Sequence, residues 1–152
     1  MDAAGNMNTT KLGNYIVGPG GMMDIAAGAK KVIFVGSFVV KGKNAVENGE
    51  VIITEEGVAP KFMAELPYIT FSTKLALEQG KEILVITDRA VFDFDEQGKL
   101  RLIEIAPGLD LQKDILNWMD FEPVIANDLK RMNSHLYQEE WSLVEHHPSF
   151  TS

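Results

Sequence analysis

The sequence contains no cysteine. That absence excludes disulfides, a thiolate nucleophile and any cysteine zinc site. A chain without disulfides fits the cytosol, so a cytoplasmic location is expected. Histidine is scarce too: His135, His146 and His147 are the whole complement. None has a Ser or Asp partner placed by sequence, and the donors are too few for a metal site, so no metal is expected. Basic residues are in deficit, 14 against 22 acidic, for a net charge of −8. An acidic chain is a poor partner for nucleic acid or an anionic membrane surface, and neither is expected. Long apolar runs are missing as well. The longest largely apolar stretch, Val32 to Val40, is far short of the roughly 20 residues a spanning helix needs. Met1 to Gly13 show no cationic segment leading into an apolar one, so no targeting signal is read there.

What is present is ordinary globular material: 152 residues, 45% hydrophobic and 24% charged, enough for one domain. Met1 to Gly13 are rich in Asn, Thr and Gly and read as loop. A domain that opens this way is expected to enter in mid-fold. Asn14 to Val17 is a short β-like run, closed by Gly18-Pro19-Gly20-Gly21. Met22 to Ala29 reads as a short helix ended by Lys30 and Lys31, cations favourable at a helix C-terminus. Val32 to Val40 is a β-branched and aromatic run, the pattern of a strand buried on both faces.

Ala45 to Glu47 and Glu50 to Thr54 flank Asn48-Gly49, the pair that supplies the positive φ of a type I′ hairpin. Short extended pieces are expected around Pro60 and Pro67. Ser72 to Gln79 reads as a helix with Ser72 as its cap and Gly80 just past its end. Glu82 to Thr87 is a second buried-type strand. Ala90 to Phe94 and Lys99 to Ile105 alternate about the turn Asp95 to Gly98, giving a second hairpin. Asp110 to Met119 is amphipathic, with Leu111, Ile115, Trp118 and Met119 on one face and Asp110 as cap. A last short strand is expected over Phe121 to Ile125 and a final helix over Asp128 to Tyr137. The fold class is therefore α/β: an open sheet with peripheral β-hairpins, and an incomplete domain because its two buried strands lack neighbours. The domain is expected to span 1–137, with 138–152 a loosely held tail.

The glycine segment is the most distinctive local feature. Glycines ahead of a helix let main-chain N–H groups approach an anion closely. No Gly-Lys-Ser/Thr follows, so this is not a nucleotide P-loop, and composition alone reads it as a tight strand-to-helix turn. Lys30, Lys31, Lys41 and Lys43 form a local basic cluster that could serve a phosphorylated ligand or merely solubilise strand ends. Asp88-Arg89, after the second buried strand, stand where α/β folds often place function, but fit equally an ion pair covering the strand end. Asp93 and Glu104 sit in the second hairpin, on a face expected to be wet.

Three segments, in order, resemble family I coenzyme A transferases. Gly18 to Gly21 with Met23-Asp24-Ile25-Ala26 and Gly28 to Val32 resembles the family's GxGG segment. Ile86 to Asp93 is similar to its ITxxAVF segment, and Leu102 to Asp110 to its LxEIAPG segment. The insert 43–66 and Asp110 to Leu116 resemble the propionate or short-chain acyl-CoA:acetate branch. The resemblance covers about Met1 to Met132.

It implies CoA transfer between a short-chain acyl-CoA and a carboxylic acid through a glutamyl-CoA thioester, with acyl-CoA as substrate and no permanently bound cofactor. It implies that Gly18, Gly20 and Gly21 form the CoA and oxyanion loop, with Met22, Lys30 and Lys31 in support. The family's nucleophilic Glu, on a Ser-Glu-x-Gly turn well before the loop, has no counterpart: only Asp2 is acidic before Gly18. Glu47-Asn48-Gly49 imitates that turn but falls after the loop, on a hairpin tip. The chain is therefore expected to be the C-terminal part of the glutamate-bearing half. On this reading it is inactive alone, completed by a missing remainder or a partner chain, and prone to form homo-oligomers through its open sheet. The alternatives are a non-catalytic binding or assembly module, and an acyl-CoA hydrolase or lyase subunit of the same superfamily.

Overall fold

The structure, a computed structural model, describes residues 1–138. The expected tail lies outside the described residues apart from Gln138. The chain opens with a small antiparallel ribbon, β1 (Lys11–Leu12) and β2 (Tyr15–Ile16), followed by helix α1 (Met22–Gly28) and strand β3 (Lys31–Gly36). Next come β4 (Val39–Val40), the hairpin β5 (Lys43–Glu47) and β6 (Glu50–Glu55), and β7 (Ala59–Pro60). Helix α2 (Thr73–Glu78) leads into β8 (Glu82–Thr87), β9 (Ala90–Phe94) and β10 (Leu100–Ile105). A π turn over Leu111–Ile115 and a 3-10 turn over Leu116–Trp118 precede β11 (Val124–Arg131) and a closing 3-10 turn, Ser134–Tyr137.

The main sheet has five strands in the order β11-β10-β9-β8-β3. Its two outer pairs, β10/β11 and β3/β8, are parallel, and its inner pairs are antiparallel. The hairpin β9/β10 therefore forms the middle of the sheet, where a peripheral position was expected. Its alternating pattern hides one reason: Phe92 and Leu102 are register partners with no exposed surface, so both strands bury a full apolar set. Phe92 also meets Phe62 at 4.9 Å between ring centroids, and Phe62 meets Phe38 at 5.0 Å. This aromatic cluster, with Ile115 and Met119 packed in the same core, joins the sheet to the 38–62 segment and the 111–119 turns.

The run Val32 to Val40 is not one strand buried on both faces. β3 stops at Gly36 and pairs with β8 alone, while Val39–Val40 pairs with Ala59–Pro60 in a separate ribbon. The break is chemical. The Phe38 N–H donates to a carboxylate oxygen of Asp88 at 2.6 Å and so leaves the ladder. On β3 itself Ile33 is 48% and Val35 78% exposed. The expected final helix is also absent: 124–131 is a strand parallel to β10, held at its end by the Arg131 guanidinium donating to the Ala106 and Leu109 carbonyls. Only Ser134–Tyr137 turns, with the Asn133 side chain accepting from the His135 N–H.

Other expectations hold. Asn48 and Gly49 have φ of 54° and 80°, as the hairpin turn requires. Past α2, the Gly80 N–H reaches the Leu77 carbonyl and the Lys81 N–H the Ala76 carbonyl, the two bonds of a Schellman motif. Ser72 stands at the α2 cap position but makes no side-chain capping bond. Asp110 does cap, accepting from the Lys113 N–H at 2.7 Å. The apolar face it introduces is buried as expected, but it is wound as a π turn in which the Leu116 N–H reaches both the Leu111 and Gln112 carbonyls.

Candidate functional site

The glycine segment is held from behind by threonines. The Thr10 carbonyl accepts from the Val17 N–H at 2.8 Å and the Gly18 N–H at 3.1 Å. Thr10 is tied in turn to Thr70 through a hydroxyl–hydroxyl bond of 2.8 Å, and the Thr70 hydroxyl also accepts from the Thr9 N–H. The Thr9 hydroxyl donates to the sulfur of Met22, so the first residue of α1 is fixed to the same cluster. Thr9 and Thr10 lie in the opening expected as loop and Thr70 in the short extended piece expected around Pro67, with no role expected for any of them. Their only signal is the Thr-Thr pair in an otherwise Asn- and Gly-rich opening.

On that support Gly18 and Gly20 adopt φ of +83° and +56°, conformations costly to any residue with a Cβ. A Cβ at either position would meet nothing within 4 Å. The glycines are therefore not demanded by crowding inside the chain. They are demanded by backbone direction, and they leave the outer side of the loop open to another molecule. Gly21 differs: its φ is negative, and a Cβ there would only touch Ile25.

The expected supporting residues separate into two groups. Met22 and Lys31 line one apolar cleft of about 280 Å³ between α1 and β3, together with Ile25, Ala26 and Phe34. Lys30 is exposed and is not among that cleft's lining residues; its carbonyl accepts from the Glu82 N–H. The basic cluster is partly neutralised, with Lys31 paired to Glu82 at 3.2 Å and Lys43 to Glu55 at 2.7 Å, both on the surface. Such exposed pairs contribute little to stability. A lysine outside the expected cluster acts on the loop's own helix. Lys81 Nζ donates to the Ala27 and Ala29 carbonyls and closes the C-terminal end of α1.

The carboxylates resolve mostly into structural roles. Asp2, the only acid before the loop, is buried. Its oxygens accept from the main-chain N–H groups of Ala4 and Asn6 and from the Asn6 amide. A carboxylate so engaged is not free to attack. Asp88 holds the Phe38 N–H and the Asn44 amide, both at 2.6 Å. Arg89 is buried and pairs with Glu56, a partner the sequence did not indicate, rather than with the adjacent Asp88. Asp93 receives a two-pronged contact from Arg101, at 2.8 and 2.7 Å, which raises the Arg101 pKa through the hydrogen bond and the Asp93 charge.

Glu47 lines a separate cleft of about 790 Å³ with Asn48, Leu136 and Tyr137, and no residue of the glycine loop lines it. Among the described residues no cluster of His, Asp and Glu is arranged to hold a metal. His135 sits in the closing 3-10 turn, while His146 and His147 lie outside the described residues. Among the described residues no helix is long and apolar enough to cross a membrane.

No family model matches the chain. Comparison with individual proteins gives clear relatives. A caffeate CoA-transferase from Acetobacterium woodii is 48% identical over 145 residues, covering 92% of this chain and 28% of that protein. The crystal structure of the acyl-CoA transferase YdiF from Escherichia coli O157:H7, in a thioester complex with CoA, superposes with a TM-score of 0.87 at 49% identity, over 91% of this chain and 27% of that one. Glutaconate coenzyme A-transferase from Acidaminococcus fermentans shares the fold with a TM-score of 0.62 at 20% identity, over 88% of this chain and half of that one. The chain thus spans about a quarter of the length of the caffeate CoA-transferase and of YdiF.

Proposed function

We propose that this chain, about half identical to one stretch of two CoA-transferases, supplies the oxyanion side of a CoA-transferase site whose nucleophilic glutamate comes from residues outside it. The observation that carries this reading is the loop at Gly18 and Gly20. Its backbone is fixed by Thr10, its φ angles are positive, and its outer side is open. YdiF, half identical to this chain, is a protein whose structure holds a CoA thioester.

A glutamate carboxylate attacks the thioester carbonyl, and the carbonyl oxygen takes the negative charge. Collapse of that tetrahedral species expels CoA thiolate and leaves an acyl-glutamyl anhydride. The thiolate attacks the glutamyl carbonyl, the acyl group leaves as its carboxylate, and a glutamyl-CoA thioester remains. A second, short-chain carboxylic acid takes the CoA by the same steps in reverse. This is covalent catalysis of ping-pong type. Each addition develops an oxyanion, and the main-chain N–H groups of Gly20 and Gly21 are the proposed donors that stabilise it more in the transition state than in the ground state; the Gly18 N–H, given to the Thr10 carbonyl, braces the loop instead. A loop braced by Thr10 and Thr70 avoids reorganising at that moment.

Two findings support an attacker from elsewhere. Asp2 is buried with its oxygens occupied by three N–H donors. Glu47 sits at the β5–β6 turn in a cleft of its own. The apolar cleft behind Met22 and beside Lys31 is a suitable neighbour for the thiol end of the pantetheine arm. Substrates are acyl-CoA and a short-chain acid, and a cytosolic setting agrees with the cysteine-free sequence.

Calorimetric titration of the chain with CoA tests this. The reading expects saturable binding that weakens at least tenfold in Gly20→Val, because a side chain enters the open side of the loop and strains its positive φ, while a Cβ there meets no protein atom within 4 Å. Equal binding by wild type and Gly20→Val, or no binding by either, would overturn it.

A further inference from the structure

Helix α1 directs the glycine loop. The Pro19 carbonyl accepts from the Met22 N–H at 3.2 Å and the Gly21 carbonyl from the Ile25 N–H at 3.0 Å, so the Gly20 and Gly21 peptides run straight into the helix's first turn. A shift of α1 therefore turns the amides of the loop. Yet little of α1 is packed. Of its seven residues only Ala26 is buried, while Met23 and Ile25 are 52% and 73% exposed. A cleft of about 280 Å³ lies between it and β3, and another of about 360 Å³ lies on the α2 side, lined by Met23, Ala27, Leu75 and Lys81 among others. Gly21 gives the helix no side-chain cap, and its last turn has no basic residue of its own. With so little interlocked surface, the polar tethers at its two ends set where the helix lies.

The tether at the start is weak, since the Thr9 hydroxyl meets only the thioether of Met22. The tether at the end is an ammonium. Lys81 Nζ donates to the Ala27 carbonyl at 2.8 Å and the Ala29 carbonyl at 2.6 Å, where a helix end leaves carbonyls without internal partners. Hydrogen bonds from a charged donor are shorter and stronger than neutral ones. Lys81 is itself fixed. Its N–H donates to the Ala76 carbonyl in the turn after α2, where Gly80 takes a φ of +76°. The next residue, Glu82, begins β8 and gives its N–H to the Lys30 carbonyl at 2.9 Å. The ammonium thus ties the far end of α1 to the main sheet. We propose that Lys81 is a positioning residue for the oxyanion loop: it acts through α1, holding the Gly20 and Gly21 amides in aim, and touches no reacting atom itself. This rests on the functional reading above. Misplacing a group in such a site by about 1 Å can cost roughly 10²-fold in rate.

The test uses the 152-residue chain, alone and co-expressed with the complementary segment of E. coli YdiF. Lys81→Met keeps the aliphatic stem and removes the donors. In the chain alone, its Ile25 and Ala29 amides should exchange with solvent at least tenfold faster, while the Val85 amide of β8 keeps its rate. In the complex, Lys81→Met should lower kcat for transfer from acetyl-CoA to propionate by about ten- to a hundredfold and leave KM for acetyl-CoA within about twofold, because the oxyanion is absent from the ground state. Lys81→Arg, which offers a donor to both carbonyls, should restore the exchange rates and return kcat to within about threefold. Lys130→Met, at an exposed lysine on β11 at the opposite edge of the sheet, should change neither. Circular dichroism confirms folding, and Lys81→Gln, one atom shorter and uncharged, is read in the same way where Lys81→Met does not fold. Unchanged α1 exchange, an undiminished kcat, a loss confined to KM, or no rescue by Lys81→Arg would each overturn the proposal. No transfer by the wild-type complex would instead defeat the functional reading, with faster α1 exchange leaving Lys81 as the anchor of the loop.

Discussion

Arg89 Nη2 lies 3.0 Å from Glu56 Oε2, with the arginine side chain wholly buried and the glutamate 40% exposed. The guanidinium also donates to the Asp114 carbonyl at 3.1 Å and stands over the Phe38 ring, 5.8 Å from its centroid. It thereby ties the loop after β6 to the end of β8 and to the π turn. Removing Glu56 leaves a buried cation without its anion. Glu56→Ala is expected to cost about 3 kcal/mol, the low end for breaking a buried pair, because water reaches the glutamate. Adding Arg89→Met should recover part of that loss. Urea unfolding of the two single variants and the double variant checks the sign of the coupling.

Gly108 contrasts with the glycines of the candidate site. Its φ is +87°, and a Cβ there would lie 2.8 Å from the Val51 carbonyl oxygen. The close approach serves a bond: the Val51 N–H donates to the Pro107 carbonyl at 2.9 Å, docking β6 against the turn after β10. Gly108→Ala is expected to lower stability by about 1–3 kcal/mol through strain and displacement of β6. Gly20→Ala meets no atom and should cost only the local backbone penalty, about 1–2 kcal/mol. Thermal unfolding of the two variants side by side measures the difference.

Tyr137 gives a pH signature. Burial, followed by the charges of Asp88 and Glu104, raises its hydroxyl pKa above the ordinary 10.0. The folded state therefore holds that proton more tightly than the unfolded chain. The contribution is fully present below pH 10 and is lost as pH rises from 10 through the raised value. Tyr137→Phe also removes the hydroxyl's 2.8 Å contact with the Met132 sulfur. Its stability at neutral pH should change little, while the decline above pH 10 becomes shallower. Chemical denaturation at pH 8 and above pH 10 checks both parts.

Much of this was legible in the sequence where local chemistry decides the structure. Asn48-Gly49 fixed a hairpin because few residues tolerate its φ angles. Glu82 to Thr87 fixed a strand because β-branched residues fill it. Leu111, Ile115, Trp118 and Met119 share a buried face whether the turns are α, π or 3-10. Val32 to Val40 misled because an apolar run reports that burial is required, not which polypeptide provides it. Asp128 to Tyr137 misled because pairing with β10 overrode a polar, helix-compatible composition. For the candidate site, the glycine positions were readable from their motif. The threonine brace was not, since the hydroxyl bonds join Thr9 and Thr10 to a residue sixty positions away.

CoA transfer from acetyl-CoA to propionate, followed as propionyl-CoA formed, tests the central claim most directly. The chain alone should give none. The chain joined by the complementary YdiF segment should give turnover, and Gly20→Val in that complex, which displaces the loop's amides from the oxyanion, should lower kcat by roughly 10²–10³-fold, as when one well-placed donor is lost. Turnover by the chain alone, or an undiminished rate with Gly20→Val in the complex, would contradict the account.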